Sequence, residues 1–492
     1  MGREPSTFRA LGLPVRAARR ATDSFRPDAM PASVRRNYSR ELPGTALFAV
    51  GRAAFDGAIL GIVVRIAFDG VVRADLLNYA VALIAAAPAF ANIINFIWAR
   101  AVQGRHKIRF IVGVQSVLLG LVLLLAFVPR SPVGLAMLCA IVIGIWVCWS
   151  GFVAIRTTIW RANYPRAIRA RIAGKFSTVQ TLILSTFGLT LGTLMGDRLG
   201  LIDPRLSLER LGLDPIGVFR AYVVVCVVCG AAGVAVLSTL RVRRHKRMLR
   251  DERESTAERT GPTLNPLGVV RLLLEDRRFG AYQVNQFLMG IGNLMVMPLI
   301  PIILRDRFGV GYFEGILLAS TLPMAMIPFM IPAWARLLDR VHVVRFRSVH
   351  SWVFVALIVL LFLATELHIK WLLYVAAVLK GIGMSGGMLA WQLGHHDFAP
   401  RQRASEYMGV HVTLTGVRGL IGPAAAVALY NRLDALDDSF GPYVLLLCLA
   451  LVLAGAIGFV MMTRRLDLTP ADAKIPADST TRGPAVVSKG EL

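Results

Sequence analysis

The sequence predicts an all-α membrane protein, with twelve transmembrane helices in two pseudo-symmetric six-helix bundles. Three observations predict it. Twelve apolar runs are each long enough to cross a bilayer, whose hydrocarbon core of about 30 Å takes roughly 20 helical residues. Lys and Arg crowd into alternate connections between those runs. A segment between the second and third runs recurs between the eighth and ninth, at an offset of 236 residues.

The chain has 492 residues, 55% of them hydrophobic, and a mean hydropathy of +0.60. A soluble chain of this length carries more charge and fewer long apolar stretches. The net charge of +25 does not point to nucleic acid, because the basic residues flank hydrophobic spans and form no soluble basic face. The six runs of the first half cover about 44–68, 75–98, 108–128, 133–155, 172–196 and 216–240. Those of the second half cover about 280–304, 310–334, 349–367, 371–394, 405–430 and 441–463.

The N-terminal 1–43 reads as a basic tail with nine arginines and no signal-peptide core, its stretch from Phe8 to Arg26 suited to an amphipathic surface helix or to disorder. The second-to-third connection carries Arg100, Arg105, Lys107 and Arg109, and the fourth-to-fifth carries Arg156, Arg161, Arg166, Arg169 and Arg171. The eighth-to-ninth carries Arg336, Arg340, Arg345 and Arg347. Most of the intervening connections hold one or two cations, so the positive-inside rule places both termini in the cytoplasm. Arg- and Ala-rich usage fits a bacterial inner membrane. Residues 241–279 form a basic central linker with Gly261-Pro262 and Asn265-Pro266, separating bundles at 44–240 and 280–465, and 466–492 reads as a disordered tail. The five cysteines lie within apolar runs, and Cys226-x-x-Cys229 reads as two small helix residues, with no disulfide framework and no metal.

The repeat pairs WARAVQGRHKIRF from Trp98 with WARLLDRVHVVRF from Trp334. It matches Trp98 to Trp334, His106 to His342 and Phe110 to Phe346. A second echo at offset 235 matches Pro165-Arg166, Gly174 and Thr178 to Pro400-Arg401, Gly409 and Thr413. On these features the chain resembles the major facilitator superfamily, over about residues 44–465. The family's motif between the second and third helices, approximately G-x-x-x-D-R-x-G-R-R, is altered in both copies. The first keeps Gly104-Arg105-His106-Lys107 without the acidic residue; the second keeps Asp339-Arg340 without the later Gly-Arg pair. The resemblance implies 6+6 helices and a loop that latches one conformation, with Arg100, Arg105, Lys107, Arg336, Asp339 and Arg340 as its gating residues. Plain positive-inside anchoring explains them equally well.

Ionised groups at a helix centre cost roughly 2.5–3.5 kcal/mol each on insertion scales, so they mark protein-sheltered or hydrated positions. Arg52 and Asp56 in the first run, Lys380 in the tenth and Arg418 in the eleventh lie deep. Arg52 and Asp56 are four apart and would share one helix face, either as a structural pair or as cavity lining. Lys380 precedes four glycines that suit a bending gate or close packing. His411 lies seven residues before Arg418, on roughly its face. Arg65, nearer a membrane surface, is expected to snorkel. The resemblance implies that the first, fourth, seventh and tenth helices line the pathway. Three cations to one anion favour an organic anion as the small-molecule substrate. Protons would couple through Asp56 or His411. Trp149, Asn293 and Gln392 are candidates to complete the site, although packing explains each as well.

The reading is therefore a secondary transporter in membrane lipid that works by alternating access, proton-coupled or by exchange, with no cofactor and no nucleic-acid partner. No G-x-x-x-x-G-K-[ST] loop is present to bind ATP. A membrane-embedded lipid-linked transferase and a non-transporting sensor are the alternatives. The His395-His396-Asp397 cluster reads as an interfacial cap or gate contact and not as a metal site, since adjacent histidines on a helix diverge by about 100°.

Overall fold

The computed structural model describes residues 22–258, 266–399 and 403–465. Most of the Phe8–Arg26 segment, the Gly261-Pro262 turn and the tail after 465 lie outside them.

Twelve helices are long and apolar enough to span a membrane. In chain order they are α1 (Ala32–Ala67), α2 (Ala74–Ile93), α3 (Lys107–Phe127), α4 (Pro132–Asn163), α5 (Arg171–Met195) and α6 (Pro215–Ser238). The second set is α7 (Arg277–Asp306), α8 (Tyr312–Leu338), α9 (Val343–Leu367), α10 (Trp371–Asp397), α11 (Glu406–Asp434) and α12 (Gly441–Arg465). Several begin at side-chain caps that satisfy their first amides. Ser131 caps α4 before Pro132, and Asp214 caps α6 before Pro215. His106 and His342, equivalent in the repeat, cap α3 and α9 through Nδ1. An even number of spans puts both ends of the described chain at one end of the molecule. That end also carries the linker helices His245–Glu258 and Pro266–Glu275, and is the basic end; the opposite one is the far end.

The internal repeat is a repeat of structure. In the first bundle α1 packs on α6 and α5, α3 on α4 and α6, and α2 on α4. In the second, α7 packs on α12 and α11, α9 on α10 and α12, and α8 on α10, each pairing shifted by six. The repeated tryptophans make the same bond: Trp98 Nε1 donates to the Val147 carbonyl at 2.9 Å, and Trp334 Nε1 to that of Ile382 at 2.9 Å. Each indole covers a glycine of the same helix, Gly151 or Gly386. Glycine also sets the α1–α6 approach, where a Cβ on Gly233 would lie 2.5 Å from the Phe48 amide nitrogen.

The bundles meet along α2–α11 and α5–α8, while the second half of α1 reaches α7. Polar ties at the far end hold them closed. Arg65 pairs with Asp306 and, at 3.3 Å, with Asp69; Arg305 also reaches Asp69 at 2.9 Å. Asn78 donates to Asn431 at 2.8 Å. The snorkelling expected of Arg65 is thus corrected. Its guanidinium is buried between α1 and α7, because Asp306 offers a charge partner that an interface would not.

The expected tail at 1–43 is also shorter, since α1 begins at Ala32. Its extra turns are held by Glu41, which is buried and accepts from Tyr164 Oη at 2.6 Å, from Trp160 Nε1 and from Arg156. Arg156, which the sequence placed in a connection, therefore lies inside α4. There its guanidinium sits 4.5 Å from the Trp160 ring and donates to Thr45 Oγ1 at 2.7 Å.

Candidate functional site

The sequence Phe55-Asp56-Gly57 breaks α1 in mid-membrane. The first piece ends at Ala53 and the second starts at Gly57. Asp56 takes an extended ψ of 124° and caps the second piece, its Oδ1 accepting from the amides of Ala58 at 3.2 Å and Ile59 at 3.3 Å. A carboxylate at a helix N-terminus is favoured by the free amides and the dipole there. The four-residue spacing therefore does not act as an i,i+4 pair: among the described residues no ion pair joins Arg52 to Asp56. The helix ends between them, so they do not share a regular face.

Opposite this break, α8 contains a π-helical turn at Leu317–Thr321. Such a turn shifts the hydrogen-bond register and frees backbone carbonyls. Two of them are used from other helices. Lys380 of α10 donates to the Ala319 carbonyl at 2.8 Å, and Ser185 of α5 to that of Thr321 at 3.0 Å. Ser320, within the turn, donates to Asp56 Oδ1 at 3.1 Å and so links the two irregular segments across the bundle interface.

Between them lies a cavity of about 310 Å³, lined by Arg52, Asp56, Trp146, Ala319 and Lys380, with Met and Pro side chains of α7 and α8. The Arg52 guanidinium stands 4.9 Å from the Trp149 ring and 5.9 Å from that of Trp146, where the aromatic faces offset part of its desolvation. Its Nε has no hydrogen-bond partner. Lys380 sits within electrostatic reach of Asp56 without an ion pair closing between them. The cavity thus holds two cations and one carboxylate, each anchored to its own wall. A solute with an anionic group can meet both cations there.

The other sequence candidates lie elsewhere. Arg418 points into the contact of α11 with α7, where Nη1 donates to the Gln286 carbonyl at 2.6 Å and Nη2 to Thr415 Oγ1 at 3.0 Å. Its guanidinium lies against Gly290, the one small residue that makes room for it. His411 Nδ1 contacts the Gln283 amide at 3.3 Å. Neither residue lines the central cavity, so the expectation that all four deep charges share one interior is corrected: α11 turns this face toward its own bundle. Trp149 contributes through Arg52 and not as lining. Asn293 is half-buried and absent from the cavity wall, and Gln392 is exposed.

The loop candidates divide by half. Lys107 is 0% exposed and donates to Glu252 Oε2 at 2.6 Å and to the Val102 carbonyl at 2.7 Å. Glu252 also accepts from the Gly104 amide at 2.9 Å, in a turn whose φ of 68° suits glycine. The acidic residue absent from the first motif copy is thus supplied by the linker helix. Arg105 lies 5.7 Å from the Phe110 ring, and Arg100 is exposed. In the second half Arg336 donates to the Pro332 carbonyl, while Asp339 and Arg340 are exposed and make no ion pair among the described residues. The second-half turn is tied differently, by Asp397 accepting from the Val343 amide at 2.6 Å.

Sequence reasoning missed Ser320, Glu252 and the pairing of Arg65. Phe55-Asp56-Gly57 carried a legible signal, since Asp before Gly inside an apolar run is an N-cap signature. The π turn had none. Among the described residues no group of three or more His, Cys, Asp or Glu is placed to hold a metal.

Comparison with known proteins agrees with this architecture. Among solved structures, the chain is similar to a bacterial homologue of the human lysosomal transporter Spinster in an inward-facing, occupied conformation. The TM-score is 0.58 at 15% identity, covering 88% of this chain and 97% of that one. It is similar to a D-xylose–proton symporter with a TM-score of 0.61 at 13% identity, covering 86% and 95%. It is also similar to the nucleoside transporter NupG with a TM-score of 0.57 at 11% identity, covering 86% and 99%. At these identities the likeness is one of fold. No curated protein matches the sequence. The sequence model of the Major Facilitator Superfamily matches residues 43–423 and 283–489. Taken with the twelve spans and the paired six-helix bundles, that match settles the family, and the chain belongs to the major facilitator superfamily.

Proposed function

We propose that the protein is a secondary transporter that moves a small organic anion across the membrane by alternating access, with a proton exchanged at Asp56. The observation that carries this reading is the central cavity, where Arg52 and Lys380 face one volume with a single carboxylate and neither cation closes an ion pair with it. Two cations held apart on opposite walls leave a place for a carboxylate or phosphate group, which arginine binds in two-pronged fashion. A volume of about 310 Å³ suits a solute of modest size. Protonation of Asp56 would weaken its hold on the amides of Ala58 and Ile59, so proton uptake and the geometry of the α1 break are linked.

The basic end is the cytoplasmic one in this reading, as the positive-inside rule requires, and the membrane is a plasma or bacterial inner membrane. The state described is then closed to the outside by the Arg65, Asp69, Arg305 and Asp306 cluster. The test is flux in proteoliposomes with a panel of organic mono- and dicarboxylates and phosphate esters, with and without an imposed pH gradient. Uptake driven by the gradient, lost in Asp56→Asn and Lys380→Ala, is the expected result. Equal flux of neutral sugars in wild type and Lys380→Ala would reject the anion assignment.

A further inference from the structure

We propose that the second bundle holds a buried site for a small inorganic anion of the size of chloride, between Arg347 of α9 and Arg418 of α11, apart from the central cavity. Arg347 is 1% exposed and Arg418 5% exposed. Neither makes an ion pair with any described carboxylate. Arg347 contacts the His350 ring nitrogen at 3.4 Å and interacts with the Tyr282 hydroxyl, and Arg418 bonds a carbonyl and a hydroxyl. The two guanidinium groups lie within electrostatic reach of each other and of the Tyr282 hydroxyl. The carboxylates at this end of the bundle are turned to other work. Asp276 accepts from the Phe279 amide and from Tyr407 Oη at 2.9 Å, and Asp397, within electrostatic reach of Tyr282 but closing no ion pair with either guanidinium, accepts from the Val343 amide.

A guanidinium does not shed its proton in a protein, so burial cannot be relieved by neutralisation. An uncompensated buried charge is strongly destabilising, and two of like sign repel. Counter-charge must therefore come from outside the described residues. Around the pair the unsatisfied buried polar atoms are mostly potential donors: Arg347 Nε, Arg418 Nε, Tyr282 Oη and His411 Nε2. His411 Nδ1 lies 3.3 Å from both the amide nitrogen and the amide oxygen of Gln283, and in the tautomer where that amide donates, the ring's Nε2 proton joins the set. Two fixed positive charges with three buried donors beside them, Arg347 Nε, Arg418 Nε and Tyr282 Oη, fit a monatomic or similarly small anion better than a metabolite. Such an ion would tie α7, α9 and α11 together at the basic end, and so stiffen the bundle that moves as a unit.

The purified full-length protein in detergent tests this. Chloride is titrated against gluconate at constant ionic strength, and the thermal unfolding midpoint is followed. Wild type is expected to gain about 3 °C or more, saturating with chloride. Arg347→Gln and Arg418→Gln are each expected to lose the dependence, whereas Arg52→Gln keeps it. Should a glutamine variant fail to fold, crystals or vitrified samples of wild type in bromide give a direct reading, with an anomalous or density peak expected between the two guanidinium groups. A midpoint indifferent to chloride in wild type, an Arg347→Gln protein that responds as wild type does, or a response lost in Arg52→Gln but kept in Arg347→Gln would each overturn the proposal.

Discussion

The central cavity and the α7–α9–α11 cluster both bury two cations without an ion pair, yet the backbone around them differs. At the cavity two helices are irregular: α1 breaks at Asp56 and α8 passes through a π turn. Each irregularity turns main-chain groups outward, the amides of Ala58 and Ile59 toward Asp56 and the Ala319 carbonyl toward Lys380. In the other cluster the helices run through unbroken, and Arg418 reaches the Gln286 carbonyl only because Gly290 lets it lie flat on α7. The lesson is that an ionised residue in an apolar run signals shelter, not a pathway. What separates the central cavity from the packed contact is that the neighbouring backbone is bent open around it.

The strongest way to break this comparison is Lys380→Ala. If the cavity is the transport site, removing one of its two cations should lower flux about 100-fold while leaving the unfolding midpoint within a few degrees, since charge-assisted contacts are worth about 1.5–3 kcal/mol. Loss of fold with no separable loss of transport would make Lys380 a packing residue like Arg418. Next in size is Gly290→Ala. A Cβ there would sit 2.2 Å from Arg418 Nη1, so the guanidinium must leave its berth. Overpacking of this kind costs typically 1–3 kcal/mol. The midpoint should fall by several degrees while the solute KM in proteoliposomes stays within about threefold; a KM shift as large as that of Lys380→Ala would join the two clusters into one site. Ser320→Ala should do less. It removes one of three donors to Asp56, a loss of about 1 kcal/mol, and should move the pH midpoint of transport without abolishing it. An unchanged pH profile would remove Asp56 from proton exchange.

The number of spans, their order and the two-bundle repeat were legible because each rests on patterns that hydrocarbon enforces along the whole chain: long apolar runs, and bonds such as those of Trp98 and Trp334 that recur at the same place in each half. The depth of Arg52, Asp56, Lys380 and Arg418 was legible for the same reason. Their grouping was not. Which way α11 turns Arg418 depends on Gly290 and Gln286 of another helix, and no spacing within α11 encodes that. Arg65 reads as a snorkelling residue until Asp306, 241 positions away, is seen beside it. The start of α1 was placed too late because Glu41 looks like a solvated charge, and only Tyr164, Trp160 and Arg156 make it a buried one.

The smallest effect concerns the two loop latches, where the halves also part company. In the first half Glu252 of the linker helix holds Lys107 and the Gly104 amide, and beside it the rings of His106 and His245 stand 4.4 Å apart. Partial burial, with the charges of His106 and Lys107, pushes His245 below its ordinary value near 6.5, and Glu252 only partly opposes this. The docked linker therefore favours the neutral ring. Its contribution is fully present above about pH 6.5, the undocked value, and is lost as the pH falls through the lower docked one. Amide exchange along His245–Glu258, corrected for the intrinsic rate, should then quicken by less than about tenfold between pH 7.5 and 5.5. His245→Gln should flatten that change along the linker helix, and should leave the second-half turn at Val343, where His342 caps α9, with the pH response it has in wild type. A linker that quickens as much in His245→Gln as in wild type would mean that it opens for a reason other than this histidine, and the asymmetry drawn between the two latches would go with it.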